Sequence, residues 1–187
     1  MSQPATSIRA ALVNAIPNLR AFAISMTGDH HRANDLVQET LLKAWTNHDK
    51  FEAGTNFKAW LFTILRNTYF SEIRKRHREI QDVDGQAAAQ LVSLPEQHGH
   101  LDLAEFRKAL TSLSEDQREA LLLVGAEGFS YEEAAEIAGC AVGTVKSRVN
   151  RARARLAEQM SVGSAEDLGP EKASRGVIVR SPEPGLA

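Results

Sequence analysis

The strongest chemical signal in the sequence is a basic helix expected at about residues 144–159, which contains five cations and a single acid. At about 100° per residue, Val145, Val149, Ala152 and Leu156 form an apolar stripe that we expect to be buried. The opposite face carries Ser147, Asn150, Arg151 and Ala154, flanked by Lys146 and Arg153 on one side and by Arg148 and Arg155 on the other. Arginine and asparagine recognise base edges in a major groove, and flanking cations suit the phosphates. The pattern therefore predicts binding to duplex DNA.

A short helix and a tight turn are expected directly before the basic helix. Ser130 followed by Glu133 fits a capping box that starts the short helix. Ala135 is small where two helices must cross, and Gly139 can adopt the positive φ that ends a helix. This helix-turn-helix layout favours DNA binding over the alternative interpretation, a solvated basic helix.

A second candidate site lies on a helix predicted at about residues 56–77, where an aromatic ring and an amide stand among cations. One side of this helix carries Thr63, Arg66, Asn67, Phe70 and Arg74. Stacking of an aromatic ring on an unpaired base contributes about 1 to 3 kcal/mol, and surrounding cations hold the backbone. This side therefore suits single-stranded nucleic acid. The alternative is that the aromatic residues form core, which is the role we expect of Phe62 and Tyr69.

A third predicted helix lies in the basic first half of the chain but carries acidic residues. Asp35, Gln38 and Glu39 lie on its surface, whereas Val37, Leu41 and Trp45 are spaced for burial. Carboxylates cannot favour DNA, so this surface is either a site for a protein partner or a solvated helix face.

Motifs for catalysis and for metal binding are absent from the sequence. No glycine-rich phosphate loop precedes a lysine, and no strand-turn-helix nucleophile motif occurs. His98 and His100 have a spacing that could ligate a metal, but no second ligand cluster accompanies them. We therefore predict that the protein is not an enzyme and has no metal and no cofactor.

The elements that must position these side chains are all expected to be helices, because apolar residues recur every 3 to 4 positions with almost no alternation. The spacing predicts helices over about 17–27, 30–47, 56–77, 101–112, 115–125, 131–138 and 144–159. Ser114 and Ser130 are the expected N-caps of two of them. The predicted fold class is all-α, with two small helical domains joined by a flexible linker.

Charge is sorted along the chain although the formal net charge is only −2. Residues 1–78 contain eleven basic and six acidic side chains, whereas residues 79–100 contain four acids and no lysine or arginine. We predict that the latter segment is a linker. We also predict that residues 161–187, which are rich in Gly and Pro, form a disordered tail. The single cysteine and the absence of a long apolar run predict a cytoplasmic protein without a membrane span.

Three segments together resemble the extracytoplasmic-function (ECF) sigma factors of bacterial RNA polymerase. They are DLVQETLLKAW at 35–45, FKAWLFTILRNTYFSEIRKR at 57–76 and LSEDQREALLLVGAEGFSYEEAAEIAGCAVGTVKSRVNRARARL at 113–156. The resemblance implies a sigma-2 domain at 1–78, a linker at 79–100 and a sigma-4 domain at 101–160. The phrases MTGDHHRANDLVQETLLKAW and ALLLVGAEGFSYEEAAEIAG are similar to the EcfG-type group. Sigma factors of that group direct a general stress response. The anti-sigma factor NepR binds and inhibits them until the response regulator PhyR sequesters NepR.

The resemblance also assigns roles to residues. Asp35, Gln38 and Glu39 match the surface for core polymerase, and the loop Phe51–Phe57 with Asn67 matches a pocket for a base flipped from the minus-ten strand. The predicted minus-ten contacts are Phe51, Phe57, Trp60, Thr63, Asn67, Phe70, Arg74, Lys75 and Arg76. The predicted minus-35 contacts are Thr144, Lys146, Ser147, Arg148, Asn150, Arg151 and Arg155.

The expected partners are core RNA polymerase, promoter DNA and a NepR-like anti-sigma factor, with no membrane and no small-molecule substrate. Two other classes remain open. A sigma-like interaction protein in an anti-sigma partner switch would keep the helical core and lose the DNA-binding chemistry. An ordinary helix-turn-helix regulator would not need Asn67, Phe70 or the acidic surface.

Overall fold

The computed structural model describes residues 5–82 and 101–160 of the 187-residue chain. Every regular element within these ranges is helical, which confirms the all-α prediction. The α-helices are α1 Ala5–Thr27, α2 His30–Thr46, α3 Phe57–Asp82, α4 Leu101–Thr111, α5 Glu115–Leu121, α6 Tyr131–Ala138 and α7 Val142–Gln159. A 3-10 turn at His48–Lys50 follows α2, and a π-helical turn at Leu122–Ala126 continues α5.

The first helix is much longer than predicted. We expected it to begin near residue 17, but α1 begins at Ala5 and contains Pro17. Proline removes one intrahelical hydrogen bond, a loss that is offset here because Ile8 and Leu12 are buried one turn apart on the same face. The sequence signal was therefore the spacing of these two apolar residues, which outweighs the proline.

The other end of the first half also differs from the prediction. Helix α3 continues to Asp82 rather than ending near residue 77, so the first residues of the predicted linker at 79–100 are helical. The remainder of that linker, His98 and His100 within it, and the predicted tail at 161–187 lie outside the described residues.

Helices α1, α2 and α3 form the core of the first half. Asp29 caps α2 by accepting hydrogen bonds from the amides of His31 and Arg32. Phe22 of α1 meets Phe62 of α3 edge to face, with ring centroids 5.1 Å apart. Phe62 and Tyr69 are buried, as we predicted from the sequence.

In the second half, the capping residues predicted from the sequence lie at the ends of the helices. The Ser114 side chain caps α5, and Ser130 and Glu133 form a reciprocal capping box at the start of α6. Gly139 ends α6 with φ of 63°, a left-handed conformation that favours glycine. The predicted stripe of α7, Val145, Val149, Ala152 and Leu156, is buried. The predictions for this part of the fold are confirmed.

The two halves pack against each other and share a hydrophobic core. Phe129, which follows the π-helical turn, meets Phe62 of α3 with ring centroids 5.2 Å apart. The ammonium group of Lys58 lies 4.9 Å from the centroid of the Phe129 ring. Helix α3 therefore contacts the second half and also carries the predicted site for single-stranded nucleic acid.

Candidate nucleic-acid interface

The outer face of α7 presents an open, cationic surface. Asn150, Arg151 and Arg155 are exposed on it, opposite the buried stripe, and Lys146 is exposed beside them. Fixed by the turn and by the apolar stripe beneath, these side chains project from one rigid helix. A rigid helix with Asn and Arg on its outer face and cations at its edges is the arrangement that reads bases and phosphates of duplex DNA.

Three predicted residues of α7 have partners inside the protein. Arg148 is only 21% exposed, and its guanidinium bonds to the Asp116 carboxylate at 2.6 Å. Lys146 lies 5.6 Å from the centroid of the Tyr131 ring. The half-buried Ser147 hydroxyl donates to the backbone carbonyl of Thr144, which is also half-buried. The structure therefore places Arg148 in a brace between α5 and α7, while Lys146 stays at the surface.

Asp116 and Tyr131 are residues that sequence reasoning missed. Each lies on another helix, and only the packing of α5 and α6 against α7 brings them to the basic face. Their chemical types, an acid and an aromatic ring, gave no signal of this placement.

The outer face of α3 is more crowded than that of α7. Asn67 and Arg74 are exposed, and Thr63 and Phe70 are half-buried. The Arg66 guanidinium lies 4.7 Å from the centroid of the Phe70 ring, so the predicted aromatic is covered by a cation. Further along, Arg74 donates to the Ser71 hydroxyl at 3.1 Å, and Lys75 and Arg76 continue the exposed basic end.

A cavity of about 380 Å³ opens between the end of α2 and the side of α3. Its lining residues are Lys43, Asn47, Lys50, Trp60, Ile64, Asn67, Thr68 and Ser71. The structure brings Asn67 and Trp60 to one concave site, but no residue of the loop Phe51–Phe57, which the flipped-base prediction combined with Asn67, lines it. The polar groups contributed by Lys43, Asn47 and Lys50 were not predicted, because they come from the end of α2 and the turn after it.

The aromatic residues at the two ends of the preceding loop contact Trp60, which lines this cavity. Phe51 and Phe57 lie 5.1 Å apart, and Trp60 lies 5.4 Å from Phe51 and 5.7 Å from Phe57 between ring centroids. The loop therefore does not stand free: its two ends are held together on the tryptophan that lines the cavity. Substitution of either phenylalanine would move Trp60 as well as the loop.

Part of the polar lining is already hydrogen-bonded. The Lys43 ammonium group donates to the Thr68 hydroxyl at 3.0 Å and pairs with Glu39 at 2.6 Å. Asn47 donates its amide N–H to the Lys43 carbonyl, which leaves the amide oxygen available to a ligand. A base entering the cavity would meet a fixed ammonium group and two asparagine side chains.

The predicted protein-binding surface of α2 is exposed and includes apolar residues. Asp35, Gln38 and Glu39 are exposed, as expected for a surface of this kind. Trp45, which we expected to be buried, is 45% exposed, and Leu42 is 65% exposed. The expectation was wrong because steps of four residues turn by about 40° each around an α-helix. Trp45 therefore lies well around the helix from the buried Val37 and stacks on His48 at 5.7 Å.

Glu119 is a buried carboxyl that sequence reasoning also missed. Its side chain is 1% exposed, and Oε1 accepts a hydrogen bond from Arg66 Nε at 2.9 Å. Burial raises the pKa of Glu119 to about 7, while the Arg66 charge acts in the opposite direction. Its partner Arg66 comes from α3, so the spacing of residues within α5 could not reveal this pair.

Neither a metal-binding cluster nor a membrane-spanning helix occurs among the described residues. In ranges 5–82 and 101–160, no group of three or more His, Cys, Asp or Glu side chains could hold a metal ion. No helix in the same ranges is both long enough and apolar enough to cross a membrane.

Comparison with known proteins identifies two family regions in the chain. The family model of sigma-70 region 2 matches residues 12–79, and that of sigma-70 region 4 matches residues 103–156. The ECF RNA polymerase sigma factor EcfG of Rhodopseudomonas palustris is 59% identical over 172 residues, which are 92% of this chain and 95% of the relative.

Two solved structures share the fold and the sequence pattern. The sigma factor RpoE of Bartonella quintana, in complex with the anti-sigma factor NepR, matches with a TM-score of 0.77 and 56% identity, covering 84% of this chain and 99% of RpoE. CnrH in complex with the cytosolic domain of CnrY matches with a TM-score of 0.62 and 27% identity, covering 86% and 92% of the two chains. The chain therefore belongs to the ECF sigma factors of the sigma-70 family, the subunits that direct RNA polymerase to promoters.

Proposed function

We propose that the protein starts transcription by attaching to core RNA polymerase through α2 and by recognising two promoter elements through α3 and α7. The observation that carries this assignment is the presence, in one chain, of a concave amide- and aromatic-lined site on α3 and an open basic face on α7. A regulator that reads only duplex DNA has no use for the first. We assign it no catalytic step of its own and a cytoplasmic location, where core polymerase acts.

The cavity beside α3 is the proposed site for an unstacked base of the minus-ten element. The amide of Asn67 can hydrogen-bond to a base edge, while Trp60 offers an aromatic wall and Lys50 a positive charge near the backbone. Phe51, Phe57, Thr63 and Phe70 shape this surface, and Arg74, Lys75 and Arg76 extend it along the phosphates. A flipped base needs both a cavity and a charged rim, and α3 supplies them together with the end of α2 and the turn after it.

The outer face of α7 is the proposed site for the minus-35 element. Asn150 and Arg151 lie where base edges would approach, and Lys146 and Arg155 lie nearer the phosphates. Thr144 and Ser147 belong to the first two turns of the same helix. Arg148 is assigned to the edge of the site, since its guanidinium is held by Asp116.

The surface of α2 is the proposed site for core polymerase. Asp35, Gln38 and Glu39 supply its polar part, and the exposed Leu42 and Trp45 supply apolar contact area. We expect Asp35→Lys to weaken binding of the chain to purified core polymerase. The matched control is Glu52→Lys, which makes the same charge change at an exposed residue outside this surface. Equal affinities for the two variants would remove Asp35 from the surface.

We further propose control by a small helical anti-sigma protein of the NepR kind, with general stress response genes as the targets. Support comes from the 56% identity to a sigma factor that was solved with NepR and the 59% identity to an EcfG protein. Co-purification of the chain with a NepR-like protein, with and without core polymerase, tests this control. We expect competition, and a stable ternary complex on gel filtration would contradict it.

The decisive experiment is in vitro transcription from a library of genomic fragments with purified core polymerase. Sequencing of transcript 5′ ends should reveal start sites that require the added chain and that share two upstream elements. Asn67→Ala should reduce permanganate reactivity of thymines at the minus-ten element of these promoters while core binding is retained. The same start sites with core polymerase alone would refute the assignment of the chain as a promoter-recognition subunit.

A further inference from the structure

Two partners hold the ammonium group of Lys43, which lines the cavity between α2 and α3. It donates to the Thr68 hydroxyl at 3.0 Å and pairs with the Glu39 carboxylate at 2.6 Å. The Thr68 hydroxyl itself donates to the backbone carbonyl of Ile64 at 2.9 Å, so its oxygen is an acceptor towards Lys43. An ammonium group has three N–H donors, and these two bonds leave one of them for a ligand of the cavity.

The two partners of Lys43 lie on different helices. Glu39 lies one turn before Lys43 on α2, whereas Thr68 is buried on α3, 25 residues further along the chain. The lysine side chain therefore spans the two helices that line the cavity, and it cannot move into solvent without losing both bonds. A hydrogen-bond donor discriminates between ligands when supporting bonds hold it in a narrow range of geometries. Lys43 has this support.

Lys50, the other lysine of the cavity, has a different environment. Its side chain is exposed, and no ion pair or hydrogen bond of its ammonium group occurs within residues 5–82 or 101–160. A mobile charge without a counter-charge attracts the phosphates of any strand, and this attraction weakens with salt. Glu39 compensates the charge of Lys43, so we expect Lys43 to contribute less to this attraction and more to hydrogen bonding.

The groups beside Lys43 suit the edge of a base. The exposed Asn67 and the free amide oxygen of Asn47 belong to the same cavity, and Trp60 supplies an aromatic wall. An ammonium group only donates, so it is complementary to a carbonyl oxygen and unfavourable beside an amino group. Guanine, thymine and cytosine each have a carbonyl oxygen, whereas adenine has an amino group and no carbonyl. The chemistry at Lys43 therefore disfavours adenine.

We propose that Lys43 is a further specificity-determining residue of the minus-ten site, where its ammonium group donates to a carbonyl oxygen of the captured base and disfavours adenine. This role rests on the proposed assignment of the cavity to an unstacked base. Thr68 is a positioning residue, because its hydroxyl acts through the ammonium group that it holds. Helix α2 then contributes to both proposed interfaces, with Glu39 towards core polymerase and Lys43 towards the promoter strand.

The test uses holoenzyme, assembled from the full chain and saturating core polymerase, to select strands from single-stranded DNA with a randomised minus-ten region. Sequencing of the retained strands gives the base preference at each position as a ratio within one sample, so a change in polymerase affinity does not alter it. With the wild-type chain, we expect about tenfold depletion of adenine at one position of the shared motif. Lys43→Met keeps the apolar stem but removes the donors, so it should reduce this depletion to about twofold or less and leave the other positions unchanged.

Lys50→Met is the matched comparison, because it removes the same charge from the same cavity. It should weaken binding of all strands alike and reduce the slope of log affinity against log salt by about 0.7, while the depletion of adenine remains. Lys43→Met should change this slope by less, since Glu39 already compensates its charge. The same effects of both variants on preference and on slope would show that Lys43 acts only as a charge, which overturns the proposal.

Two variants of Thr68 test whether the held geometry of Lys43 matters. Thr68→Val removes the hydroxyl with little change in volume, so it should relax the discrimination against adenine. Thr68→Ser retains the hydroxyl and should preserve the discrimination. Equal strand selection by the two variants would contradict the positioning role and with it the fixed donor that the proposal requires.

Asn67→Ala distinguishes a failure at Lys43 from a failure of the whole site. If Asn67→Ala relaxes a base preference and Lys43→Met does not, the role of Lys43 is overturned while the assignment of the cavity to a base stands. If neither variant changes the preference at any position, the assignment of the cavity is overturned and the role of Lys43 with it.

Discussion

Helices α3 and α7 are both predicted to meet promoter DNA, but the protein treats their cations differently. On α7, Arg151 and Arg155 point outward from a helix whose buried face is a simple apolar stripe. On α3, Lys58 and Arg66 are held by acids of the other half. The difference shows that a basic face is available to DNA only if the rest of the chain leaves it free.

The largest effect is expected from removing Arg118, a buried residue that forms hydrogen bonds with both halves of the chain. Arg118 is buried and donates to the carbonyls of Leu110, Thr111 and Leu113 in its own half and of Met26 in the other. Arg118→Ala leaves these oxygens without their donor, so we expect the free energy of unfolding to fall by about 3 to 5 kcal/mol. Urea denaturation of the wild type and the variant measures this free energy of unfolding. Arg107→Ala, at an exposed arginine of α4, should change the stability by less than about 0.5 kcal/mol.

The second effect concerns the buried acid that holds Arg66. Burial raises the pKa of Glu119 from 4.5 to about 7. The folded chain therefore binds a proton more tightly than the unfolded chain does, and the stabilisation is complete below pH 4.5 and is lost as pH rises through 7. Wild-type stability should fall by about 3 kcal/mol across this window relative to Glu119→Gln. The comparison needs urea denaturation of both proteins at several pH values. Parallel pH profiles would show that the carboxyl titrates normally.

The same contrast explains what the sequence could predict. The α7 site depends on residues within one turn-and-helix segment, so periodicity, the capping box and Gly139 were sufficient to place its stripe and its exposed face. The surroundings of α3 depend on contacts across long separations, 53 residues for Arg66 with Glu119 and 69 for Lys58 with Glu127. Periodicity cannot encode such pairs, because it shows which face is buried and not what buries it. The start of α1 was missed for another reason: the buried Ile8 and Leu12 extend this helix across Pro17, a residue type that by itself disfavours a helix interior.

A third prediction sharpens the assignment of the open face. Arg151 lies near its centre and Lys146 nearer its edge. Arg151→Ala should therefore cost about 1 to 3 kcal/mol on the preferred minus-35 sequence and relax the preference, whereas Lys146→Ala should weaken all sequences alike and reduce the salt slope by about one. Binding of polymerase holoenzyme to duplex variants at several salt concentrations separates the two effects. The same loss of sequence preference from both substitutions would remove the distinction between base and phosphate contacts.

The smallest effect is expected at Arg148, which is paired with an acid of another helix as Arg66 of α3 is. Its guanidinium is held by Asp116, so less of its charge is available to DNA than that of Arg155. Arg148→Ala should reduce the salt slope of minus-35 binding by less than Arg155→Ala does, and should lower the free energy of unfolding by about 0.5 to 1 kcal/mol, because a partly exposed ion pair is lost. Asp116→Asn is the complementary substitution. It removes the charge that holds Arg148, so it should slightly raise the affinity for duplex DNA. In an Arg148→Ala background, the same substitution should have almost no effect on this affinity. If Asp116→Asn raises affinity equally in both backgrounds, the carboxylate acts on DNA by repulsion alone and the brace does not restrain Arg148.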